Sequence, residues 1–217
     1  MRGGGENVSE SEVALGGAGH AAVMEEPAYA VPPKKLTIWL FIISDAVSFG
    51  TVLFVYGYLR VGSTNWGTPF KFSSILNGMI MTFVLLTSSL TMLGAVLAAK
   101  AGRKSSSVKW MGLTALLGAI FAALHLREWS HMIAEGWRLF QNPTGGSVEF
   151  GAAFFSITGL HLLHVTCGVI AIIVVATGFN RGRLTEGHVE TTGLYWHFVD
   201  LVWMFVFPLM YLMNAAR

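Results

Sequence analysis

The sequence predicts an all-α integral membrane protein, a bundle of five transmembrane helices preceded by a flexible N-terminal tail. Three observations carry that prediction. Of 217 residues, 53% are hydrophobic and only 12% charged, about half the ~25% typical of soluble domains. The mean hydropathy is +0.59. The apolar residues gather into five long runs separated by short polar connections, and runs of this kind mark membrane helices.

Residues 1–33 are rich in Gly, Ala, Ser and Glu and contain no apolar run. They read as a flexible cytoplasmic tail. The basic-then-apolar order of a secretory signal is missing, so no cleavage is expected. Pro32-Pro33 and Lys34-Lys35 mark the entry into the membrane, and residues 34–217 form the five-helix domain.

The runs are Leu36 to Leu59, Ile75 to Ala99, Trp110 to Leu126, Ala152 to Phe179 and Leu194 to Met213. Crossing ~30 Å of hydrocarbon takes about 20 residues at ~1.5 Å each. Four runs reach that length. The third reaches it only if the helix continues past Trp129. The second and third carry small residues, among them Gly78, Ser88, Ser89, Gly94, Gly112 and Gly118, which allow helices to approach closely in lipid.

Charge on the connections predicts orientation. Arg2, Lys34, Lys35, Lys100, Arg103, Lys104, Lys109, Arg181 and Arg183 fall on one side; Arg60, Lys71, Arg127, Arg138 and Arg217 fall on the other. The first set places the N-terminus in the cytoplasm, and five spans then place the C-terminus outside the cell or in the periplasm. The single cysteine, Cys167, allows no internal disulfide and no Cys-pair metal motif.

Ionisable residues inside the runs are the candidate sites, because a charge at membrane depth costs roughly 2.5–3.5 kcal/mol even on insertion scales. Asp45 lies ~14 Å into the first run and has no basic partner within it. It reads either as a proton-carrying acid or as a neutral acid fastened to a neighbouring helix. His125, Glu128 and Trp129 share a face at the end of the third run, with Arg127 directed away. They suit a metal, a lipid head group or an interhelical hydrogen-bond network.

His161 and His164 are three residues apart in the fourth run, as are His197 and Asp200 in the fifth. Such pairs invite a haem or copper reading. Depth opposes it: the run boundaries set His164 ~12 Å from the cytoplasmic edge and His197 only ~4–5 Å from it. Hydrogen bonding between helices is the plainer expectation. Trp196, Trp203, Tyr195 and Tyr211 read as interfacial anchors of the last span.

Arg181, Arg183 and His188 share one short cytoplasmic connection and are candidates for an anionic lipid head group, with Arg60 at the opposite face. A structural phospholipid is expected between the first two spans and the last three.

Two segments carry a family resemblance. FFxxTGxHxxHVxxG, from Phe154 to Gly168, and YWHFVDxVWxxxF, from Tyr195 to Phe207, resemble subunit III of the haem–copper (cytochrome c) oxidases in its five-helix bacterial form. The resemblance extends over roughly residues 36–214. Asp45 stands where most members carry a glutamate in FIxSE, so its carboxyl is one methylene further back. His125 stands at the glutamine of QxxEY and Trp129 at its tyrosine, while Glu128 agrees.

The resemblance implies a non-catalytic subunit of a proton-pumping terminal oxidase that reduces O2 to water. It implies no metal in this chain, with haem and copper in the catalytic subunit I. It further implies association with subunits II and IV, bound phospholipid, support of proton uptake and lasting activity, residence in the plasma membrane, and no nucleic-acid partner. Two other readings stand beside it. One is the related subunit of a nitric oxide reductase. The other is a haem-binding membrane cytochrome. A free-standing transporter would have only Asp45, Glu128 and Asp200 as polar handles.

Overall fold

A computed structural model describes residues 33–215. The tail expected over residues 1–33 lies outside the described residues except for Pro33, which opens the first helix. The helices are α1 (Pro33–Gly62), α2 (Phe72–Lys100), α3 (Lys104–Ala134), α4 (Glu149–Asn180) and α5 (Glu186–Phe207). A single π-turn, Pro208–Leu212, extends α5. All five are long and apolar enough to cross a membrane.

Three of the helices stop in the same way. Gly102, Gly136 and Gly182 adopt positive φ just beyond α2, α3 and α4. Each donates to a carbonyl three residues back, and the following residue donates to one five back, as in Arg103 to Ala98 at 2.9 Å. That closure satisfies the orphan carbonyls of a helix end and favours glycine.

The fifth helix begins about two turns ahead of its apolar run. Thr185 and His188 explain this. The Thr185 side chain accepts from the His188 backbone N–H, and the Thr185 N–H donates to His188 Nδ1 at 3.3 Å. This reciprocal cap starts a helix in polar sequence. The third helix likewise continues past Trp129, as the length argument required.

Helices α2 to α5 form the packed body: α2 lies on α3 and α5, and α4 lies between α3 and α5. Helix α1 rests on α5 and α4. The chain is therefore not divided into the first two spans against the last three, because α2 belongs with the body and α1 stands at its edge. Only 6% of the apolar window of α1 is buried, against 50% in α5.

Two tryptophans dominate the interior. Trp196 and Trp203 are at most 1% exposed, so they are core residues rather than interfacial anchors, and Tyr211 is buried with them. Trp196 occupies a notch made by Gly118 and Gly168. A Cβ added at Gly118 would stand 2.5 Å from the indole, and one at Gly168 2.9 Å. The second and third runs are rich in small residues for reasons of this kind.

Indole N–H groups then pin the helices together. Trp196 donates to Ser88 at 3.0 Å, Trp203 to Thr82 at 3.0 Å and Trp129 to Thr158 at 3.1 Å. Each bond joins two helices. Within a membrane such bonds contribute about 0.6–2 kcal/mol.

Candidate functional site

The polar interior draws on all five helices and separates into distinct clusters. The first joins α1 to α4. Asp45 Oδ1 lies 3.2 Å from His164 Nε2. The Nδ1 of the same imidazole lies 2.8 Å from the Leu160 carbonyl oxygen. A carbonyl only accepts, so Nδ1 carries a proton. The contact with Asp45 is then either O–H to neutral nitrogen or imidazolium to carboxylate. Both forms hold one shared proton and no net charge, which resolves the problem of an acid at this depth. The helix spacing of α1 could not show this, because the partner lies on α4. Among the described residues Asp45 Oδ2 has no hydrogen-bond partner.

His161 shares a helix face with His164 but turns to different neighbours. Its ring stacks on Trp203 at 5.1 Å and meets Phe121 edge-on at 5.7 Å. His125 also packs on Phe121 and Trp203. Neither ring receives a hydrogen bond from the protein, so the hydrogen bonding expected of both is absent among the described residues. Phe49 of α1 lies against both His161 and His164.

His197 faces α2, where Nδ1 lies 2.6 Å from Ser89 Oγ. The same hydroxyl lies against Asp200. Helix α5 starts at Glu186, which puts His197 roughly 16 Å along it. Direction also separates the rings: His164 turns to α1 and His197 to α2. Among the described residues no three His, Cys, Asp or Glu side chains converge on one point.

Glu128 joins α3 to α2, with Asn77 Nδ2 donating to its Oε2 at 2.8 Å. Trp129 binds Thr158 on α4, so this part of the expected network does form. Arg127 is exposed, where buried Glu128 faces α2, and both border a groove between α2 and α3.

Arg60 is half-buried and bonded within the protein. It donates to Asn214 Oδ1, to the Met213 carbonyl and to Tyr56 Oη. These bonds close α1 onto the end of α5. His188 is the helix cap described above, while Arg181 and Arg183 are exposed.

Two residues that the sequence reading passed over organise the helix ends. Glu190 binds Lys35 of α1 at 3.1 Å and Lys100 of α2 at 3.3 Å. Asn214 is fully buried. It accepts from Trp66 Nε1 at 2.7 Å and donates to Tyr56 Oη and to two carbonyls. Glu190 lay in a stretch read as loop. An asparagine three residues from the end of the sequence gave no signal of burial.

Residues 28–215 match the family described as Cytochrome c oxidase subunit III. The chain belongs to the cytochrome c oxidase subunit III family. It is 34% identical over 183 residues to the cytochrome bo(3) ubiquinol oxidase subunit 3 of Pseudomonas aeruginosa, covering 82% of this chain and 83% of that one. It is 33% identical over 186 residues to the cytochrome c oxidase subunit 3 of Alkalihalophilus pseudofirmus, covering 84% and 88%. The quinol oxidase subunit 3 of Bacillus spizizenii is 34% identical over 184 residues, covering 83% and 87%. This subunit III is a multi-pass component of a terminal oxidase complex that includes a catalytic subunit. The relatives named here are oxidase subunits, which favours neither a nitric oxide reductase nor a free-standing cytochrome.

Proposed function

We propose that this subunit III carries no haem or copper of its own and acts by holding the catalytic subunit I in its working state. The observation that carries this is the Asp45–His164 pair. The imidazole best placed to ligate a metal is engaged at both nitrogens, by a carboxyl on one side and a carbonyl on the other. The other intramembrane histidines pack on tryptophan or bind serine.

The complex would be a proton-pumping oxidase of the plasma membrane, reducing O2 to water, with subunits II and IV also present. The excess of lysine and arginine at the starts of α1, α3 and α5 favours a cytoplasmic N-terminus and an external C-terminus. Exposed Arg181 and Arg183 suit an anionic phospholipid on the cytoplasmic face, at about 1 kcal/mol each.

The test is to purify the complex with and without this chain. Full haem and copper content and near-normal initial turnover are expected without it, with faster loss of activity during turnover. A Soret band that follows the isolated chain and vanishes in His164→Ala contradicts the proposal.

A further inference from the structure

Helix α5 is not enclosed on every side. Helices α1 and α2 both rest on it, and they do not pack on each other. A valley therefore runs between them with α5 as its floor. Where α5 begins, Glu190 binds Lys35 of α1 and Lys100 of α2 and closes that end.

Two turns further along the same face of α5 stands His197. It lies as far from Glu186 at the start of α5 as its partner Ser89 lies from Lys100 at the end of α2. That distance is roughly 16 Å, near the middle of ~30 Å of hydrocarbon. The ring is only half-buried. Among the described residues its Nε2 has no hydrogen-bond partner, and it is not sealed inside the bundle as the nitrogens of His125 and His161 are.

The proton inventory shows what Nε2 offers. Ser89 Oγ lies between His197 Nδ1 and the Asp200 carboxyl. A net charge is costly at this depth, so acid and ring hold one acidic proton between them. With that proton on Asp200, Asp200 donates to Ser89 and Ser89 to Nδ1, which leaves the ring N–H at Nε2. With it on the ring, Nδ1 donates to Ser89, Ser89 donates to the carboxylate, and Nε2 again carries N–H. Any other neutral arrangement leaves the Asp200 O–H without an acceptor, which is unfavourable.

The valley therefore presents an N–H at mid-membrane, where lipid tails offer no acceptor. The carbonyls of a transmembrane helix are taken up within the helix, so the acceptor is a side chain. The walls suit a helix. Ala46 and Gly50 of α1 border an opening of about 260 Å³ above Leu201 and Phe205, and nothing stands within 4 Å of a Cβ added at Gly50. Small residues of this kind admit a close backbone. Leu86 and Leu93 are exposed on the α2 side.

We propose that this valley seats a transmembrane helix from another subunit of the oxidase, which places a hydrogen-bond-accepting side chain against His197 Nε2. The inference rests on membership of a multisubunit oxidase and not on the absence of redox centres proposed above.

The test replaces Leu201 or Leu93 by a benzophenone amino acid in the intact complex, with crosslinks mapped by mass spectrometry. Both positions are expected to join one transmembrane segment of another subunit, with an Asp, Glu, Asn, Gln, Ser or Thr within a turn of the crosslink. His197→Phe should lower retention of this chain in the detergent-washed complex at least threefold. Ser89→Ala keeps the outer nitrogen and should lower it less. Crosslinks to lipid only, or to a second copy of this chain, overturn the proposal, as does a joined segment without such a side chain. Retention unchanged in His197→Phe, or lowered equally in Ser89→Ala, overturns the hydrogen bond. Should His197→Phe fail to fold, the crosslinks in the otherwise unaltered complex decide alone.

Discussion

Helix α1 and the four-helix body are held by different physics. In the body, large aromatic side chains fill notches cut by glycine, and indole N–H groups bind hydroxyls across helices. Helix α1 buries almost none of its apolar window. Polar contacts fasten it at three levels instead: Lys35 to Glu190 at one end, Asp45 to His164 in the middle, and Tyr56 and Arg60 to Leu209 and Asn214 at the other. Lipid tails are as apolar as leucine, so an edge helix that adds only Ile42, Phe49 and Tyr56 to the core leans more heavily on hydrogen bonds for its position. Packing dominates in the body; polar contacts carry the larger share for α1.

Substitutions in the two regions should therefore differ in kind. The largest effect is expected in the body. Trp196→Ala removes a buried indole and its bond to Ser88, at a cost of about 3–5 kcal/mol on the scale of buried aromatic truncations. Gly118→Leu drives a side chain into the same indole and costs about 1–3 kcal/mol. Both should lower the Tm of the purified subunit and its yield in the complex, affecting all helices together.

A smaller and more local effect is expected at Asn214. Asn214→Ala leaves Arg60 and Trp66 without their shared acceptor and should cost about 1–3 kcal/mol. Hydrogen exchange should rise in the peptide around Tyr56 to Trp66 while α3 and α4 stay protected. A uniform rise across all helices would erase the distinction between the two regions.

The smallest effect belongs to Glu190. Its partners Lys35 and Lys100 are both well exposed, and such pairs contribute about 0–1 kcal/mol. Glu190→Gln should shift the Tm only slightly, and the shift should fade as salt is raised. A large, salt-independent shift would show that this end does more than fasten α1.

The sequence made the fold legible because five apolar runs separated by short polar connections leave a membrane chain few alternatives. The sites were harder to read, and the reasons are physical. Spacing along one helix puts His161 and His164 on one face, but it does not tell which neighbour each meets. One stacks on Trp203 and the other binds Asp45. Apolar runs also understate helices whose ends are polar. The cap at Thr185 and His188 starts α5 early, which places Glu190 on the helix within reach of Lys35. Tryptophan was misread because its amphipathic ring suits a membrane interface as well as a core containing hydroxyls. Only the partner, Ser88 or Thr82, separates the two.

The central claim is that polar contacts, more than burial, position α1. A double-mutant cycle on Asp45→Ala and His164→Ala tests it most directly, read as the stability of α1 within the assembled complex. The expected coupling is about 1–2 kcal/mol, with Asp45→Asn retaining most of it, because an amide N–H can still donate to His164 Nε2. A coupling indistinguishable from zero, with both single variants leaving α1 in place, would contradict the account.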